Sequence, residues 1–189
     1  MTKARLEAFS DGVIAILITI MVLELHAPHE PTWEALRPLV PVFAIYVLSY
    51  VYLGVYWNNH HHMLHVCDRI NGRVLWANLH LLFWLSLVPF VTSWMGHDHY
   101  SALPTAAYGV VMACAGIAYY ILAHSLIAAQ GHDSRLARAI GRDRKGIFSV
   151  VAYLAAIVAA FINHWLADMI YAGVTLVWLI PDRRIEAGN

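Results

Sequence analysis

The chain has 189 residues, 60% of them hydrophobic and only 13% charged, with a mean hydropathy of +0.59. A water-soluble domain of this length would need an implausibly large core for its surface, so the composition excludes the soluble class and points to an all-α integral membrane protein. Lys plus Arg and Asp plus Glu balance at 12 each, and the zero net charge excludes a long-range attraction to nucleic acid.

The first apolar run follows a charged head, Arg5-Leu6-Glu7-Ala8-Phe9-Ser10-Asp11, and only Thr19 interrupts it from Gly12 to Leu23. A carboxylate near lipid costs several kcal/mol unless a partner meets it, so Asp11 requires one. Drawn at about 100° per residue, Gly12, Ile16, Thr19, Ile20 and Leu23 share one helix stripe. The stripe reads either as a packing seam of branched side chains or as one wall of a narrow conduit lined by copies of the same face, since apolar constrictions gate or filter ions by dewetting. Glu24 closes the stripe. It is either an interfacial carboxylate in water or one member of an acidic ring that raises cation concentration at an outer mouth.

A span needs about 20 apolar residues, and six stretches qualify as transmembrane helices: residues 5–25, 33–62, 74–95, 105–130, 147–163 and 165–180. The first lacks a small-residue cleavage site and is expected to be kept rather than removed as a signal peptide. Pro28 and Pro31 end it. The second carries Tyr46, Tyr50, Tyr52 and Tyr56 and runs into the polar tract Asn58-Asn59-His60-His61-His62. The third holds Asn78 and His80 early and Pro89 late. In the fourth, Gly109, Ala113 and Gly116 form a small-residue seam that lets helices approach closely. The fifth and sixth are joined so tightly that they form a hairpin, and Pro181 stops the last. Lys and Arg gather at the N-terminus, in the second-to-third and fourth-to-fifth connections and at the C-terminus, while the other three connections have none. The positive-inside rule therefore puts both termini in the cytoplasm. The whole chain reads as a single domain, residues 1–189.

Arg5, Phe9, Ser10 and Asp11 spell R-x-x-x-F-S-D at the head of the first span, which resembles the signature of the transmembrane protein 175 family of potassium channels. That resemblance implies a homotetramer of six-helix subunits in a bacterial inner membrane, each lending its first helix to a central pore, with K⁺ as the permeant ion, no cofactor and no enzymatic activity. It also implies that Ile16 is an apolar constriction, Thr19 a pore hydroxyl, and Ile20 and Leu23 further apolar rings. No T-V-G-Y-G sequence is present, so a carbonyl filter of that type is excluded. Asp11 has three readings: a first-turn acid favoured by the helix dipole, an ion pair with Arg5, or a charged ring at the entrance. The resemblance implies the second, with F-S-D tied to polar groups of the second and third helices, for which Asn58, His61 and Asn78 are the candidates.

The 12 histidines motivate a rival reading, a metal- or haem-binding membrane protein. His61 and His65 stand four apart, the spacing of helical metal sites, and His80 and His124 are candidate axial ligands. No H-E-x-x-H or C-x-x-C accompanies them. Cys67 and Cys114 are expected to be unpaired thiols. Trp33, Trp57, Trp76, Trp94 and Trp165 fall near span ends, where indoles anchor at headgroup level.

Overall fold

A computed structural model describes residues 2–98, 101–131, 134–140 and 143–179. Every regular element among them is a helix: α1 (Lys3–Leu23), α2 (Trp33–Leu36), α3 (Leu39–His65), α4 (Gly72–Ser86), α5 (Val88–His97), α6 (Ala102–Gln130), α7 (Arg135–Ile140), α8 (Arg144–Ala160) and α9 (His164–Leu179). Among the described residues four helices are long and apolar enough to cross a bilayer, namely α1, α3, α6 and the nearly continuous pair α4–α5. This makes the chain an integral, multi-pass membrane protein. Two further apolar helices, α8 with 17 residues and α9 with 16, are shorter. Pro181, Arg183 and Arg184, expected to close the last span on the inner side, lie outside the described residues, as do Ile180, Asp133 and Arg142.

The stretch 33–62, expected as one span, is divided. Pro38 has no N–H to continue the ladder begun in α2, so α2 ends at Leu36 and Pro38 becomes the N-cap of α3. The long helix then runs to His65. Arg37 consequently belongs to the α1–α3 connection, correcting the expectation that this loop carries no cation. A second break follows Ser86, where Leu87 leads into Pro89 at the start of α5.

The fold is centred on α6, which packs against α4, α5, α8 and α9. Its small residues set how close they come. A Cβ on Gly109 would meet the Tyr171 hydroxyl and lie 2.8 Å from Ile157 Cγ1, and one on Gly116 would lie 3.2 Å from Val150 Cγ2. Tyr171 cannot retreat cheaply, because it is fully buried and its hydroxyl donates to Thr105 O at 2.9 Å. Gly109→Ala is therefore expected to cost about 1–3 kcal/mol by overpacking. For a chain of this size that lowers Tm by about 2–4 °C per kcal/mol, measurable by thermal unfolding of the detergent-purified protein. Gly54→Ala, with nothing within 4 Å of the added carbon, is the matched control and should not lower Tm.

On the side of the bundle that holds Lys3, specific bonds tie the connections. Gln130 at the end of α6 donates to Arg69 O (2.9 Å) and accepts from the Asp68 amide (3.3 Å), clamping the α3–α4 loop. Lys3 Nζ donates to His65 O at 2.8 Å, and Asp143 caps α8 through the Gly146 amide at 2.8 Å.

Candidate ion pathway

Helix α1 has two faces with opposite fates. Leu6, Ser10, Ile14, Leu17 and Met21 are buried against the rest of the subunit. Roughly 140° round the helix at 100° per residue, the stripe of Gly12, Ile16, Thr19, Ile20 and Leu23 is exposed, Ile16 to 57% and Leu23 to 73%. The branched side chains of the stripe thus do not serve as a packing seam inside their own subunit. Arg5 and Phe9 are exposed as well. Thr19 Oγ1 donates back to Ala15 O (3.1 Å) and Ile16 O (2.9 Å), which leaves its oxygen lone pairs free to accept from, or coordinate, whatever lies in front of the stripe.

The buried face is held in place by a polar relay. His60 Nε2 meets Asn78 Oδ1 at 2.7 Å, Asn78 Nδ2 donates to Ser10 Oγ at 3.0 Å, and Ser10 Oγ donates to Leu6 O at 2.9 Å. Ser10 and Asn78 have no exposed surface and His60 has 1%. With Ser10 donating to the α1 carbonyl and Asn78 donating to Ser10, the remaining amide oxygen accepts the His60 Nε2–H. One chain of donors therefore runs from α3 through α4 into α1.

The imidazole in this relay is His60, not the His61 singled out from sequence. His61 lies on the exposed side, stacked between Trp57 (centroids 6.2 Å apart) and His65 (6.0 Å). Asn58 is exposed too. Asp11 is half-buried, and among the described residues its partner is Trp57, whose Nε1 donates to Oδ1 at 3.0 Å, rather than Arg5. Trp57 is thus more than a headgroup anchor. Ion pairs among the described residues join Lys3 to Glu7 (3.9 Å) and His164 to Asp168 (3.7 Å).

At the other end of α1, Glu24 caps the helix and its Oε2 accepts from Ser93 Oγ of α5 at 2.7 Å. A second buried cluster has no signature in the sequence. Thr92 Oγ1 donates to Ser49 Oγ at 2.7 Å, which lies 3.2 Å from the Tyr108 hydroxyl, joining α5, α3 and α6.

Among the described residues no three His, Cys, Asp or Glu side chains are grouped to hold a metal ion. His80 Nε2 accepts from Trp84 Nε1 of its own helix at 3.0 Å, and His124 Nδ1 lies 2.9 Å from Tyr120 O. Both are exposed on their helices.

Comparison with known proteins agrees with a channel. The family model described as endosomal/lysosomal potassium channel TMEM175 matches residues 5–89, from the Arg5 head into α5. A potassium channel of Chryseobacterium sp. (strain P1-3) is 49% identical over 186 residues, covering 98% of this chain and 97% of its own. A potassium channel of Chamaesiphon minutus is 30% identical over 177 residues, 86% of each chain. The crystal structure of a lysosomal potassium-selective channel TMEM175 homolog from Chamaesiphon minutus superposes with a TM-score of 0.82 at 25% identity, covering 95% of this chain and 97% of that one. These matches do not favour the histidine-based alternative. With the relationship extending over nearly the whole chain, this protein belongs to the TMEM175 family of potassium channels and is an ion-channel subunit rather than an enzyme.

Proposed function

We propose that four copies of the chain surround an axis, each with six membrane-spanning helices and cytoplasmic termini, and that K⁺ moves down its gradient between their α1 stripes in a bacterial inner membrane. The observation that carries this reading is the two-faced α1. Its inward side is fastened by Ser10 and Asn78, while Ile16, Thr19, Ile20 and Leu23 stay exposed on the subunit's surface, Thr19 bonding back to its own helix. An exposed aliphatic row in a membrane protein meets lipid or another copy of itself. The hydroxyl of Thr19 in the middle of the row favours the second, because an ion path has use for its lone pairs.

Ile16 to Leu23 spans about 10.5 Å at 1.5 Å per residue, room for stacked rings of isoleucine, threonine, isoleucine and leucine. An apolar ring offers no substitute for hydration water, so a cation crossing it sheds or squeezes part of its shell. Potassium, larger and more weakly hydrated, gives up those waters at a lower cost than sodium. The ring of Thr19 oxygens offers partial compensation. Selectivity of this kind needs no backbone-carbonyl filter. Glu24, one residue beyond the last ring, supplies negative charge at the outer mouth.

Cysteine accessibility tests the assignment. In Ile16→Cys, Thr19→Cys and Leu23→Cys, a charged methanethiosulfonate reagent should reduce current through reconstituted protein, whereas Ile14→Cys and Leu17→Cys should not respond. The native background is favourable at Cys67, which is fully buried and whose thiol burial pushes up to about 11. Reagent-sensitive current at Ile14 with none at Ile16 would reverse the assigned faces.

A further inference from the structure

Lys and Arg occur in four groups that the positive-inside rule assigns to the cytoplasm: Lys3 and Arg5, Arg69 and Arg73, Arg135 to Lys145, and Arg183 and Arg184. Arg37 alone falls outside them. It is exposed, follows α2 and directly precedes Pro38, so it sits at the outer end of α3. Among the described residues no carboxylate pairs with it, although Glu30 and Glu34 are near in sequence.

Arg37 stands at the edge of an open groove of about 430 Å³, within the ~300–1,000 Å³ of sites that take ligands of moderate size. The groove's walls are Leu25, Trp33, Leu36, Leu39, Val40 and Phe43. His26 completes it, with Nδ1 held 3.0 Å from Glu24 O. Val40 and Phe43 follow Arg37 along α3, one and two turns further into the bilayer, and are 65% and 56% exposed. From the start of α3 inward the order along the chain is therefore cation, aliphatic, aromatic, with the Trp33 indole of α2 beside them.

We infer that this groove holds an anionic phospholipid of the outer leaflet, its phosphodiester on Arg37 and one acyl chain along Val40 and Phe43. The polarity gradient matches an amphiphile standing along the membrane normal. A guanidinium forms paired, charge-assisted hydrogen bonds to phosphate oxygens, and Trp33, 81% exposed, lies where indoles prefer the headgroup layer. A lipid so placed would brace the α1–α3 connection beside Glu24. Its leaflet rests on the orientation given under the proposed function, and the test is independent of conduction.

The purified oligomer is titrated with phosphatidylglycerol and examined by native mass spectrometry, with inorganic phosphate as a separate arm. Wild type should retain the lipid, and Arg37→Gln should raise its Kd about tenfold, or about 1.4 kcal/mol. Val40→Trp, which fills the groove and keeps the charge, should weaken retention similarly. Arg138→Gln on the opposite side should not. Equal lipid retention by wild type and Arg37→Gln, or equal competition by free phosphate, overturns the assignment. So does dissociation of the oligomer by Arg37→Gln, which would seat a neighbouring copy on the groove. Normal currents in a variant with unchanged lipid binding would sink this inference and leave the channel reading intact.

Discussion

Ile16→Asn is expected to leave the protein folded and conducting while cutting its preference for K⁺ over Na⁺ about tenfold, equivalent to ~1.4 kcal/mol of discrimination. The position is more than half exposed in the subunit, so the substitution removes little packing and belongs with surface changes of ~0.5 kcal/mol or less. In the proposed pore, what changes is the ring. An isoleucine ring penalises the more tightly hydrated ion because it returns nothing for the water it displaces. An amide ring returns a carbonyl oxygen to either ion and narrows the difference. Conductance should rise or hold, since the same change lowers the barrier for both. The measurement is the reversal potential under bi-ionic K⁺/Na⁺ conditions in planar bilayers. A permeability ratio and conductance both identical to wild type would take Ile16 out of the ion path.

Hydropathy made the long apolar helices legible, because a span must satisfy its backbone internally and hide behind apolar side chains. The proline positions were legible only as breakers. Nothing local said that Pro38 would detach α2 and turn Arg37 outward rather than merely kink a longer helix, as Pro41 and Pro104 sit inside or at the start of α3 and α6 without ending them. The α1 stripe was visible from its periodicity, but whether it met its own bundle or stayed open depended on how α3, α4 and α5 packed against α1. Helical phase also separates the histidines. Ser49 is buried, and 11 residues, close to three full turns, carry its direction to His60, whereas four residues carry the exposed Trp57 to His61. Extending the buried face of α3 selects His60 from a run of three histidines. The Ser49–Thr92–Tyr108 cluster gave no such signal, since isolated hydroxyls in apolar helices also bond back to their own carbonyls, as Thr19, Ser125 and Thr175 do.

Asn78→Leu is expected to be the most damaging single change outside the exposed α1 stripe. It removes two interhelical hydrogen bonds, which in membranes average only about 0.6 kcal/mol each. More of the cost comes from what remains: the His60 Nε2–H loses its acceptor in a site with 1% exposure, and a buried donor so stranded costs ~1–3 kcal/mol. The total, about 2–4 kcal/mol, should lower Tm by about 4–16 °C at ~2–4 °C per kcal/mol. Because the relay fixes the rotation of α1, current should fall more than stability alone explains. The decisive comparison is His60→Leu combined with Asn78→Leu. If stranding dominates, removing both partners costs less than removing Asn78 alone, a negative interaction energy read from the double-mutant cycle. If the two changes add, the relay is two ordinary contacts, and the grip that turns Ile16 and Thr19 away from their own subunit must come from the apolar packing of Ile14, Leu17 and Met21 instead.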